Sequence, residues 1–530
     1  MDMTWVPWTI FGLLSMGGIG VSLTTIRWLQ HKQEYDNMVS TVLGVATGIA
    51  LSLAALIPID IYLVSSTSNI AIGAKQAWAT PAVVLNITSA IEIIYYILFL
   101  AIAVICFGVL PFAHTYFDDM NNIEDLHSTP LHKATTATSS FLGILVLLML
   151  IGAYLSLPPV TPTNLPWFNN LLIQTGFETG TLFVIGIMTF VGLVFMLTHG
   201  ACGLSLFCMD LIRTPRDLKN IEVISRLNRV RSNIATIYHK YPGNAPERRM
   251  RVQDRHRLEA LQNEARLLEE CFESRRESVE DDEESTIDLQ RPAEFAGGIF
   301  LSMLAFSLVV SIMATLIDRF MRSCGTSCSF LVTTFGTVTI LDAVLYIALN
   351  MFPMDAIIVM LLAYYPVWSV IYMLKKHGVG VFGLSVYTLE PGASLPQSLV
   401  LSSGAAILCI PAWILLLTIS APQYTAFGAQ TICGAVDATG NRNCSLTPKM
   451  LYSCQFTSPP DVCTPSVIST IVNRYMYTLP IFGVVFYYIL WIFCIVACIG
   501  VVFAVRNPQK PQCDEENEGL IANSAVISRR

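Results

Sequence analysis

Apolar runs of about 20 residues recur along the whole chain, separated by short polar stretches. They cover approximately residues 5–26, 38–64, 90–113, 137–157, 181–207, 294–317, 398–420 and 478–504. Each is long enough to cross a bilayer core of ~30 Å as a helix. Helices are required because lipid offers no partners for backbone N–H and C=O groups. A β-barrel would show alternating segments of ~10 residues, and none dominate. Between Phe330 and Met373 lie two further apolar stretches, split at Phe352-Pro353-Met354-Asp355. The pattern therefore predicts an all-α polytopic membrane protein.

Polar segments set the topology. Arg27 and Lys32 follow the first run, and the start carries Asp2 and no basic residue ahead of that run. The positive-inside rule places the N-terminus outside and predicts no cleaved signal peptide. Segments 27–37, 114–136 and 208–293 are then cytosolic, and 65–89, 158–180 and 318–329 are outside. Glycosylation acceptors fall outside at Asn86-Ile87-Thr88 and Asn443-Cys444-Ser445. Lys375, Lys376 and His377 predict a cytosolic loop before 398–420. Both signs agree when 330–373 crosses an odd number of times. The expectation is one full crossing plus a broken or re-entrant segment over 330–355, giving about nine spans. Four threonines, Gly336 and Asp342 in that segment argue for irregular backbone covered by protein or water. The alternative is a buried helix whose threonines bond their own carbonyls. Arg319 and Arg322 fall outside, against the charge rule.

Composition sharpens the class. Of 530 residues, 54% are hydrophobic and 13% charged, with mean hydropathy +0.59. That excludes a soluble globular enzyme and a disordered regulator. The net charge of −7 comes with no basic face for nucleic acid. Sixteen of the 31 Lys and Arg residues lie between Arg213 and Arg291, so this insert folds outside the membrane. Within it Ile221, Ile224, Leu227, Ile234 and Ile237 recur at helical spacing, as do Leu258, Leu261, Ala265, Leu268 and Phe272. The pattern predicts a coiled-coil-like helical hairpin. It contains no P-loop. The organisation expected is a five-span region 1–207, the insert 208–293, a membrane region 294–420, an outside loop 421–477, a last span 478–504 and a cytosolic tail 505–530.

Chemistry-bearing residues are few. Ionisable groups inside spans cost ~2.5–3.5 kcal/mol at the helix centre, so each needs a reason. Asp342, mid-stretch, is the best candidate to line a polar cavity. Asp60 and Glu92 sit near outside ends, within reach of water. Asp355 follows a proline and is placed to cap the next helix. Cys433, Cys444, Cys454 and Cys463 share one outside loop and predict two disulfides in an oxidising compartment, with three connectivities open. Cys324 and Cys328 can form a tight third. No metal site is expected, since their short loop lacks two further ligands. Nothing composes a nucleophile with a base, and no enzyme activity is expected. The tail residues Glu516, Leu520 and Ile521 fit an acidic dileucine sorting signal read by a clathrin adaptor.

Several of these segments resemble the LMBR-type (limb-region and lipocalin-receptor) membrane family, and most closely its lysosomal branch. They are Pro58-Ile59-Asp60-Ile61-Tyr62-Leu63-Val64-Ser65, Phe352-Pro353-Met354-Asp355, Ala421-Pro422-Gln423-Tyr424 with Phe427-Gly428-Ala429-Gln430, and Gly203-Leu204-Ser205 with Asp210-Leu211-Ile212. At Phe207-Cys208 the chain departs from the family's Leu-Pro. The resemblance covers nearly the whole chain and rests on the order and spacing of the motifs. It implies a multi-pass lysosomal membrane protein with nine spans, a lumenal N-terminus and a cytosolic C-terminus. It also implies a requirement in the export of cobalamin, which is a transported ligand and not a cofactor, and work with, or escort of, an ABC-type half-transporter. The alternative function is an endocytic or lipocalin-type receptor that binds a protein ligand through its outside loops. A third reading is a secondary transporter built on Asp342 and the broken helix.

Overall fold

A computed structural model describes residues 5–30, 37–121, 130–155, 176–213, 290–381, 384–387, 394–434 and 450–506, and separate positions between them, including Trp167, Asn170, Leu389, Arg442, Cys444 and parts of 227–266. Contacts divide the chain into two units, residues 1–205 with 303–501 and residues 206–302 with 502–530.

Among the described residues nine helices are long and apolar enough to cross a membrane. The first two are α1 (Trp5–Leu29) and α2 (Asn37–Ser66). The third joins α3 (Pro81–Val104) through a π-turn (Ile105–Val109) to α4 (Leu110–Asn121). Then come α5 (Pro130–Leu155) and α6 (Phe177–Phe195), which passes through a second π-turn (Met196–Gly200) into α7 (Ala201–Arg213). α8 (Gln290–Arg322) is the sixth span. The short α9 (Ile340–Leu349) precedes α10 (Met354–His377) and α11 (Pro396–Ser420). After α12 (Pro422–Phe427) and α13 (Val467–Thr478), α14 (Pro480–Arg506) is the last span.

The split between Phe330 and Met373 resolves as one crossing and one half-helix. α9 has ten residues, about 15 Å at 1.5 Å per residue, half of what a bilayer core needs. α10 is the full crossing. The count is odd, as the polar flanks require.

Burial separates central from peripheral spans. The apolar windows of α2 and α11 are 78% and 89% buried, against 17% for α1 and 11% for α5. Helices that are hydrophobic all round belong either in a core or against lipid, and packing decides which. Small residues permit the closest approaches. A side chain on Gly44 or Gly48 of α2 would run into Leu23 or Ile19 of α1. This is how membrane helices associate without a hydrophobic driving force.

At one end of the bundle the connections build a cap. β1 (Ser68–Asn69) and β2 (Ala74–Lys75) form a hairpin after α2, and β5 (Thr431–Cys433) pairs antiparallel with β6 (Leu451–Ser453) after α11. The carbonyls of Gly73 and Ile72 accept the N–H groups of Cys433 (3.0 Å) and Cys444 (3.1 Å), which stitches hairpin to loop. Disulfides join Cys324–Cys328, Cys433–Cys444 and Cys454–Cys463, so the loop cysteines pair in sequential order. Leu331, Phe427, Ile432, Phe456 and Val462 form the apolar centre. Elsewhere β3 (Val379–Val381) and β4 (Leu384–Tyr387) make a separate hairpin after α10.

Two expectations change here. Segment 421–477, read as a loop, contains α12, two strands and the twelve-residue α13. Asn86, read as a loop acceptor, is the sixth residue of α3, because that helix begins at Pro81, ahead of the purely apolar stretch. Pro at the first helical position costs no hydrogen bond and favours that start. Asn86 remains exposed.

In the second unit, Leu227 and Val230 pack with Ala265, and Ile234 and Leu261 flank them. Of the expected seam positions, Leu227, Ile234, Leu261 and Ala265 come together here. Ile221, Ile224, Leu268 and Phe272 lie outside the described residues.

Candidate functional site

Three buried carboxylates from three different elements meet the cap where it joins the spans. Asp60, near the end of α2, is 0% exposed. Its Oδ1 accepts the Val467 N–H (3.2 Å) and its Oδ2 the Ile468 N–H (2.9 Å). These are the first two amides of α13, which have no partner inside their own helix. A carboxylate there also meets the positive end of the helix dipole. Ser466 completes the cap. Its hydroxyl donates to the Thr425 carbonyl and accepts the Ser469 N–H (3.2 Å).

Asp342 closes a second cap. Thr339 precedes α9, accepts the Asp342 N–H on its hydroxyl (3.0 Å), and sends its own N–H to Asp342 Oδ2 (3.3 Å). This reciprocal pair is a capping box. The other oxygen, Oδ1, accepts the Tyr424 N–H (2.9 Å). The Thr339 hydroxyl lies 2.7 Å from the Ser420 carbonyl. Asp342 therefore caps the start of α9 and anchors α12 through the Tyr424 N–H. The threonines and Gly336 belong to the irregular approach to α9.

Asp355 lies in the first turn of α10 and is fully buried. Its Oδ2 accepts the Tyr424 hydroxyl at 3.2 Å. Tyr424, on α12, thus touches Asp342 through its backbone and Asp355 through its ring. Burial, with Asp355 and Asp60 adding to it, holds the Tyr424 phenol well above its ordinary value, so it stays a donor. Tyr95 of α3, also buried, interacts electrostatically with Asp60 and Tyr424.

Glu92 of α3 pairs with Arg474 of α13, whose side chain is the more buried of the two. α13 is therefore held at its first turn by Asp60 and two turns later by Glu92. The sequence places both carboxylates within reach of water. Glu92 is half-buried, but Asp60 is sealed, because α12 and α13 cover the end of α2. Neither Tyr424 nor Arg474 stands out in the sequence as a site. A lone Arg between Lys449 and Arg506 calls for an acidic partner, and that signal points to Arg474.

The charge anomaly at Arg319 and Arg322 has a local answer at the second position. Arg322 Nε pairs with Asp318 Oδ1 at 2.8 Å, and Asp318 Oδ2 accepts the Gly336 N–H at 3.3 Å. The approach to α9 is tied down on the end of α8. A Cβ at Gly336 would strike the Arg322 guanidinium.

Among the described residues no set of three or more His, Cys, Asp or Glu side chains could hold a metal ion. The acids here are met by N–H groups and a phenol. The arrangement is a joint that fixes the disulfide cap onto α2, α9 and α10. Asn443, Glu516, Leu520 and Ile521 lie outside the described residues.

Lys75 ties the cap internally. Its Nζ donates to the hydroxyls of Thr67 (2.7 Å) and Thr464 (2.8 Å), and burial pushes its pKa down to about 8 from 10.5. Below pH 8 folded and unfolded chains both carry the proton. Between 8 and 10.5 the folded chain sheds it first, so stability rises with pH across that window. The thermal midpoint of the detergent-purified protein should show this rise, and Lys75→Met should remove it. An identical pH profile in Lys75→Met would contradict the assignment.

The LMBR1-like membrane protein family model matches residues 9–297. A relative from Aspergillus terreus named "Probable lysosomal cobalamin transporter" is 27% identical, covering 89% of this chain and 87% of its own. One of the same name from Nematostella vectensis is 27% identical, covering 97% and 95%. A third, from Sclerotinia sclerotiorum, is 27% identical over 93% and 88%. No solved structure matches significantly.

Proposed function

Because the chain belongs to the LMBR1-like membrane protein family, we propose that it serves the export of cobalamin from the lysosome to the cytosol. The observation that carries this reading is the similarity to relatives bearing that name along nearly the full length of both chains. In this reading the protein acts with, or escorts, an ABC-type half-transporter. The partner supplies ATP hydrolysis, for which this sequence has no P-loop. The capped end of the bundle faces the lumen, because three disulfides gather there and disulfides persist in oxidising compartments. The N-terminus is then lumenal and the C-terminus cytosolic. Glu516, Leu520 and Ile521 address the tail to a clathrin adaptor, and Asn86 and Asn443 face the glycosylating side.

Cells lacking the protein should retain labelled cobalamin in lysosomes. Re-expression of the full chain should restore cytosolic delivery. Normal delivery in the knockout would overturn the export role. If delivery fails while the ABC half-transporter still reaches lysosomes, the escort mechanism falls and the export role stands.

A further inference from the structure

A slot of about 60 Å³ opens between α1, α2, α10 and α11. It lies where α1 and α10 finish, at the end opposite the disulfide cap. Its walls include Ser22, Thr25, Leu51, Trp368, Ile371 and Ser402. Thr25 and Ser402 donate their hydroxyls to carbonyls of their own helices, at 2.8 and 3.1 Å. Ser22 does not. It is 5% exposed and its hydroxyl has no partner. A buried polar group without a partner carries a desolvation penalty of ~1–3 kcal/mol. Water is a poor remedy in so apolar a slot, since a buried water needs two to four polar partners.

The rim is of a different character. Trp28 lies three residues beyond Thr25, and Lys375 four beyond Ile371, so each continues the slot wall by about one turn. Lys375 Nζ stands 5.6 Å above the Trp28 ring. Arg27 and Lys376 adjoin them in sequence. An apolar slot, an orphan hydroxyl inside it and a basic aromatic rim follow the polarity profile of a phospholipid: chain, ester, phosphate. Basic pockets between membrane helices bind anionic headgroups by this chemistry.

We propose that this slot is a binding site for one anionic phospholipid. An acyl chain lies between the four helices, an ester carbonyl accepts the Ser22 hydroxyl, and the phosphate sits at Lys375. The occupant is a constituent of the membrane and is independent of the exported cargo.

The test uses the full chain, delipidated in detergent and offered dioleoylphosphatidylserine or dioleoylphosphatidylcholine, with bound lipid counted by native mass spectrometry. The wild type should retain phosphatidylserine roughly fivefold better, the factor expected for one cation at an anionic headgroup. Lys375→Glu, on an exposed position, should erase that preference. Thr25→Phe, which fills the slot, should lower phosphatidylserine retention roughly fivefold, and Val21→Trp on the outer wall serves if Thr25→Phe does not fold. Equal retention of the two lipids by the wild type overturns the proposal. Loss in Lys375→Glu with none in the slot-filling variant reassigns binding to surface charge and also overturns it. The reverse pattern, loss in the slot-filling variant with the phosphatidylserine preference intact in Lys375→Glu, overturns the assignment of an anionic headgroup to this site.

Discussion

Asp60→Asn should destabilise the capped end of the molecule by about 3 kcal/mol, the largest effect expected from a single buried side chain here. The carboxylate presents two acceptor oxygens to two amides, Val467 and Ile468. A carboxamide presents one oxygen and one NH2. Whichever way the substituted side chain turns, one N–H of α13 faces another donor. An unsatisfied buried donor costs ~1–3 kcal/mol, and loss of the charge at the helix N-terminus adds up to ~2 kcal/mol in a buried setting. Asp355→Asn makes the contrast. Asp355 accepts a single phenol hydrogen, which an amide oxygen can take over, so its cost should stay near ~1 kcal/mol. Thermal midpoints of the two purified variants rank the effects, and amide hydrogen exchange locates them. Exchange across 467–478 should quicken in Asp60→Asn and stay unchanged in Asp355→Asn. Equal exchange in both would deny Asp60 its place as the anchor of α13.

Such anchors are hard to see in a sequence. The spans are legible because crossing lipid demands long uninterrupted apolar runs, and nothing else in the chain imitates them. The half-helix is legible too, since Pro353 and the threonine-rich approach break a run that would otherwise read as continuous. What covers the ends of the spans is not legible. Asp60 sits near the end of an apolar run whether water or protein lies beyond it, and the protein that seals it comes 407 residues later, at Val467. α13 hides for a related reason: it is short, amphipathic and embedded in a polar segment, so hydropathy passes over it. Its signature is local instead, a Ser466 N-cap ahead of an apolar pair. The pairing of Cys433 with Cys444 is one of three options that composition leaves equal. Asn86 is drawn out of its expected loop by a helix that outgrows its apolar stretch.

Gly192→Val should prevent assembly of the bundle. Gly192 lies on α6 and faces the backbone of α11. A Cβ there would overlap the Leu408 carbonyl, with its carbon at 2.8 Å and the Ala412 Cβ at 3.0 Å. Backbone cannot rotate away as a side chain can, so α6 and α11 must part. α11 is the most buried of the candidate spans, and its separation from α6 opens the centre of the molecule. Overpacking in a core costs ~1–3 kcal/mol when side chains can give way, so a backbone collision should exceed ~3 kcal/mol. Gly20→Val supplies the control, because Gly20 on α1 has open space within 4 Å. Both substitutions place a β-branched residue in an apolar helix, and they share whatever that costs the helix itself. Size-exclusion profiles in detergent should show Gly20→Val running as the wild type and Gly192→Val aggregated or lost. Similar losses in both would place the cost in helix propensity and not in the α6–α11 contact. A wild-type profile for Gly192→Val would mean that these two helices do not touch as described.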